Sequence, residues 1–132
     1  MGSATSQVCR DCGEHFMARY GGGFMFDLLY CDSCGAGRSV SHEELGDIHL
    51  GYVKGLPGPY AVARSRMDAE VKATYPGPAR TRAEYQADAE ATLDRCACGG
   101  TYRYDAPPRC PGCRSTPDRW NGDPDGPMMV ID

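Results

Sequence analysis

CRDCG (residues 9–13), CDSCG (31–35), CACGG (96–100) and CPGCR (110–114) hold all eight cysteines of this 132-residue chain. Read in order, they make two quartets. Cys9, Cys12, Cys31 and Cys34 have the form C-x2-C-x18-C-x2-C, and Cys96, Cys98, Cys110 and Cys113 the form C-x-C-x11-C-x2-C. Cysteines two residues apart sit on a tight turn with both sulfurs on one side, where backbone N–H groups can donate to the thiolates. Two such turns facing each other supply four soft ligands in the tetrahedral arrangement that zinc accepts. Gly13 and Gly35 stand where a turn of this kind asks for φ > 0. The 96–98 pair is one residue short of that turn, with Gly99 and Gly100 to compensate, and Arg114 replaces the glycine after Cys113.

Eight cysteines in a short chain can also form a disulfide scaffold. Residues 1–7 are small and polar rather than an apolar leader, and close pairs suit chelation better than even spacing. The expectation is therefore a reduced, metal-loaded, cytoplasmic protein with two zinc ions, iron being the minor alternative. Sequential pairing of the quartets closes the shorter loops and is favoured. Cross-bracing, in which Cys9 and Cys12 share a metal with a C-terminal pair, stays open because loop-closure entropy grows slowly with length.

Each quartet resembles a zinc ribbon of the rubredoxin-like class, a knuckle, β-hairpin and second knuckle often completed by a third strand. The resemblance covers about 8–38 and 95–120. It implies metal binding strongly and any one function weakly, since such modules serve nucleic-acid proteins, enzymes and adaptors alike. The expected fold is α+β, with a ribbon at 1–40, a helical middle at 41–94, and a second ribbon with a terminal strand at 95–132.

Composition supports metal as the organiser. Three Phe and one Trp are few for a core, while 17 Gly and 10 Pro make much of the chain turn. A ribbon of about 30 residues cannot bury enough apolar surface to fold alone. The formal net charge is −4, and two four-thiolate zinc centres bring it closer to about −8. The acidic balance comes mostly from 41–94, and no basic block is present to neutralise phosphates. No apolar run approaches the ~20 residues of a membrane span.

Along the chain, residues 8–12 read as a strand into the first knuckle. Gly21-Gly22-Gly23 reads as a hairpin tip, not a phosphate loop, since no Lys-Ser/Thr follows. Residues 24–30 form the return strand, with Phe24, Phe26, Leu28 and Tyr30 on one face and Met25, Asp27 and Leu29 on the other. Ser41–Glu44 and Thr81–Glu84 are capping boxes that open helices, the second running to about Asp94. A helix at 61–74 carries the stripe Ala63, Met67 and Val71. Thr101–Tyr104, with a turn at 106–108, makes the second ribbon's hairpin, and 128–131 a final edge strand.

Candidate sites beyond the cysteines are few. His42 and His49 can share a helix face, but two ligands without a third make a poor metal site. His15 is read as structural or exposed. Tyr102, Arg103 and Tyr104, with Arg109 and Arg114 nearby, could stack on and neutralise a single strand of nucleic acid. The plainer reading is a small sheet with tyrosine core and arginine edge. No HExxH, Ser/His/Asp grouping or catalytic carboxylate pair is present, so no enzyme is expected. The leading expectation is a zinc-binding adaptor or regulatory module acting on a protein partner. A nucleic-acid module is the alternative, and rubredoxin-like electron transfer the lesser one.

Overall fold

The computed structural model describes residues 2–23 and 25–131; Phe24, expected at the head of the return strand, lies outside them. Strand β1 (Gly2–Cys9) runs into the first cysteine turn and returns as β2 (His15–Tyr20), with Val8 opposite His15 and Ser3 opposite Tyr20. Strand β3 (Phe26–Cys31) does the same through the second turn into β4 (Gly37–Ser41), with Tyr30 opposite Gly37. The hairpins therefore close across the cysteine turns, not across the glycines. Gly21–Gly23 connects two sheets instead of tipping a hairpin between β2 and β3. The connection needs glycine: Gly21 has φ 71°, and a Cβ on Gly22 would collide with the Phe26 carbonyl.

Each sheet is finished from the far end of the chain. β5 (Tyr102–Arg103) pairs with β3 and gives the order β4-β3-β5. β6 (Trp120–Gly122) and β7 (Met128–Ile131) both pair antiparallel with β1, on the side away from β2. Strand pairing thus crosses the expected boundaries at 40 and 95. Residues 101–104 supply a strand to β3 rather than a hairpin of their own. The terminal segment is an edge strand, as its pattern predicts.

Among the described residues, four α-helices lie between the sheets' contributions. Ser41 caps α1 (His42–Leu45) by accepting from the Glu44 N–H at 3.0 Å, while the Glu44 carboxylate turns to Arg38 at 2.9 Å instead of closing the box. Gly46, at φ 57°, breaks the expected helix, and α2 (Asp47–Gly55) continues at a new angle. α3 (Ser65–Thr74) is preceded by a 3-10 turn. α4 (Arg82–Thr92) opens on the reciprocal Thr81–Glu84 box.

The stripe expected to bury α3 does not do so. Met67 is 55% exposed, and Asp68 is the residue of α3 that is fully buried. The helix is docked by polar bonds: Asp68 accepts from the Tyr60 N–H at 2.8 Å, and Lys72 donates to the carbonyls of Val53 and Leu56 at the end of α2. Orphan carbonyls at a helix end want such donors.

Two small apolar clusters result. Leu29, Val40, Leu45, Tyr85 and Ala89 unite the β3 sheet with α1 and α4, and Cys9, Ala18, Cys110 and Trp120 sit under the β1 sheet. The face of β3 that goes inward is Asp27, Leu29 and Cys31, while Phe26, Leu28 and Tyr30 are half covered. Both faces are covered to some degree, as their apolar content predicts.

Candidate metal centres

The eight cysteines meet in two tetrads, and neither is sequential. Cys9 and Cys12 join Cys110 and Cys113; Cys31 and Cys34 join Cys96 and Cys98. The outer two pairs share one centre and the inner two the other. The sequential quartets are therefore corrected to a nested arrangement. Its cause is strand pairing: β6 brings 110–113 to the mouth of the β1–β2 hairpin, and β5 brings 96–98 to that of β3–β4.

Within each tetrad the four sulfurs lie within 4.8 Å of one another. Cys9–Cys113 and Cys12–Cys110 are 3.6 and 3.5 Å apart, and Cys34–Cys96 and Cys31–Cys98 are 3.6 and 3.5 Å apart. A zinc–sulfur bond of about 2.3 Å in a tetrahedron separates sulfurs by about 3.8 Å. These contacts are far beyond the ~2.05 Å of a disulfide, and all eight thiols are free. Each tetrad can hold a metal ion.

One turn geometry recurs at all four pairs. Gly13 N–H returns to the Cys9 carbonyl at 2.9 Å, Gly35 to Cys31 at 3.0 Å, and Arg114 to Cys110 at 2.8 Å. The shortened pair closes in the same manner, Gly99 donating to Cys96 at 2.8 Å. Gly13, Gly35 and Gly99 have φ of 77°, 76° and 92°, and Arg114, without glycine's freedom, is held at 63°. Arg114 is the one described non-glycine residue with positive φ, so the turn is imposed on it by the centre it closes. Gly100 allows close approach: a Cβ there would stand 2.5 Å from the Cys31 sulfur.

Donors converge on the sulfurs, as bound thiolates require. The Ser33 and Cys34 N–H groups point at Cys31 at 3.4 and 3.5 Å, and Gly112 at Cys110 at 3.4 Å. The Trp120 ring N–H donates to Ser115 at 3.3 Å, and the Ser115 hydroxyl lies 3.1 Å from the Cys9 sulfur. That hydroxyl pulls the Cys9 thiol down to about 6. The Cys98 N–H and the Tyr102 hydroxyl bring Cys96 down to about 6 as well. Cys12 accepts from the Glu14 N–H, but proximity to Cys110 and the other sulfurs pushes it up to about 12. Cys98 follows the same pattern, the Gly100 N–H outweighed by Cys31 and Cys34. A divalent cation bound by four thiolates displaces the protons that Cys12 and Cys98 otherwise hold.

Residues 5–119 match the family described as Domain of unknown function (DUF8255). The chain belongs to this family. No curated protein and no solved structure matches it.

Elsewhere in this DUF8255 chain, the other sequence-derived candidates separate. Tyr102 and Tyr104 pack on the β3 core, Arg103 is exposed and pairs with Asp105 at 2.9 Å, and Arg109 lies along Gly35. His15 is exposed and meets Asp123 at 3.3 Å. His42 and His49 do come together, but as stacked rings 3.8 Å apart, and not as members of a three-ligand group.

That stack belongs to a buried polar network which sequence reasoning missed. Asp27 receives Nε2 of His42 at 3.1 Å on one oxygen, and the hydroxyls of Tyr85 and Tyr104 on the other, the latter at 2.7 Å. Burial alone would raise the Asp27 carboxyl; these three donors outweigh it and hold the group below the usual range. Burial and then the Asp27 charge push the Tyr60 phenol up to about 12. The available signal was Asp27 itself, a carboxylate alternating with Leu29 and Cys31 on the inward face of an apolar strand, which demands polar partners.

Proposed function

We propose that both tetrads are structural zinc centres of zinc-ribbon type, and that the chain is a cytoplasmic binding or adaptor module for a protein partner. The observation that carries this reading is the closed donor set. Four thiolates complete a tetrahedron and leave zinc no open position, the signature of structural rather than catalytic sites.

The nested arrangement supports the same reading. Each centre ties a hairpin near the N-terminal end to a turn near the C-terminal end, so two metals clasp the helical segment between them. The product is a rigid surface on a chain with little oily core, as binding modules need. Exposed Met25 (61%), Met67 (55%) and Val62 (88%) supply apolar contact area. Tyr102 and Tyr104 are turned inward, which favours a protein partner over stacked bases, and the net charge of −4 opposes phosphate capture.

The test is elemental analysis of the full chain purified without added metal, followed by cross-linking capture from its host. Two zinc per chain and a saturable protein partner are expected. Iron, a single ion, or salt-sensitive RNA or DNA binding with no protein partner would overturn the reading.

A further inference from the structure

The buried network around Asp27 opens on one side into a pocket of about 260 Å³, walled by Tyr52, Tyr60, Tyr85 and Tyr104 beneath Gly21 and Gly22. Half of the chain's eight tyrosines converge here. Their rings are set as angled walls: Tyr52 and Tyr85 are parallel at 4.4 Å, Tyr60 stands at 71° to Tyr52, and Tyr104 at 47° to Tyr85.

Asp27 is the one carboxylate among the pocket's lining residues, held in place by His42 Nε2 at 3.1 Å and by the hydroxyls of Tyr85 and Tyr104. Against its burial, those donors keep the carboxyl below the usual range, so it is ionised within the tyrosine walls. Aromatic walls beside an ionised carboxylate attract a weakly hydrated organic cation, whose charge the rings' negative faces stabilise. The volume is below that of sites enclosing a drug-sized ligand, so it suits a head group rather than a whole molecule.

We propose that this pocket binds a methylated ammonium group, with Tyr52, Tyr60, Tyr85 and Tyr104 as the cage and Asp27 as its counter-ion. The head group comes either from a trimethyllysine side chain or from a small quaternary amine. The trimethyllysine source would make this the contact point of the adaptor function proposed above, and the small-amine source stands without it. Arg82, exposed in the first turn of α4, is the cation at the pocket's rim and works against the guest.

The probe is tetramethylammonium, titrated into the metal-loaded full chain and followed by NMR shifts of the pocket residues against sodium chloride at equal ionic strength. Saturable shifts with tetramethylammonium alone are expected. Choline should bind at least fivefold more tightly than its uncharged isostere 3,3-dimethylbutan-1-ol. Tyr60→Leu should weaken choline at least fivefold while both metal ions are retained. Arg82→Glu, at an exposed site that the fold tolerates, should tighten it at least threefold.

Equal binding of the neutral isostere, or weaker choline binding in Arg82→Glu, would overturn the proposal, as would shifts that follow ionic strength alone. A trimethyllysine peptide compared with choline then identifies the source. Metal stoichiometry measured on the same samples keeps failure of this pocket distinct from failure of the zinc reading.

Discussion

The nested pairing can be tested by removing cysteines two at a time. Cys12→Ala with Cys110→Ala takes two sulfurs from one tetrad and leaves the other whole, whereas Cys12→Ala with Cys34→Ala takes one from each. A structural zinc centre contributes roughly 10–16 kcal/mol of binding free energy that is also folding free energy. The cost of nesting is small beside that. The joins Cys12–Cys110 and Cys34–Cys96 span 98 and 62 residues. A sequential join would run from Cys12 to Cys31, which are about 19 residues apart, so the longer loop is a little over two doublings and costs about 1.4 kcal/mol more. Native mass spectrometry and cobalt(II) charge-transfer absorbance read the outcome. The first double variant should keep one tightly held ion with full four-sulfur absorbance, and the second should keep none. A four-sulfur centre surviving in the 12/34 variant but absent from the 12/110 variant would refute the arrangement.

Further outcomes follow from individual residues. Stripping metal with a chelator at neutral pH should unfold both sheets, seen as collapse of circular dichroism and recovery on adding zinc; a metal-free chain that keeps its dichroism would refute the role given to the tetrads. Arg114→Gly should raise stability by about 1 kcal/mol, since glycine occupies positive φ without the cost that arginine bears; a fall in melting temperature would count against the strain. His49, held neutral with its pKa brought down to about 3, takes up a proton on unfolding anywhere between that value and 6.5. Stability should therefore fall as pH drops through that window, by up to about 5 kcal/mol at about 1.4 kcal/mol per unit. His49→Leu should flatten that limb relative to the parent chain and, because both ring nitrogens are buried without a protein partner, stabilise the fold at neutral pH.

Much of the local structure was legible. The turns at Cys9–Cys12 and Cys31–Cys34, their glycines and the Thr81 cap of α4 are short-range features whose cause lies within a few residues. The misreadings share a different cause. Gly21–Gly23 looks like a hairpin tip in isolation, yet each hairpin had already closed at its own cysteine turn, leaving the glycines to bridge the sheets. The stripe on α3 failed because a single carboxylate, Asp68, docks that helix through hydrogen bonds, which apolar periodicity does not register.

Sequence by itself determined that eight thiols sit on turns able to chelate, in a chain with few large apolar residues, because ligand type and turn chemistry are properties of neighbours in the chain. Only the tertiary structure decided which turn faces which, and that Asp27, His42, Tyr85 and Tyr104 meet. The reason is energetic: alternative closures differ by a kcal/mol or two of loop entropy. Pairing β6 with β1 and β5 with β3 is a long-range choice made by whole strands.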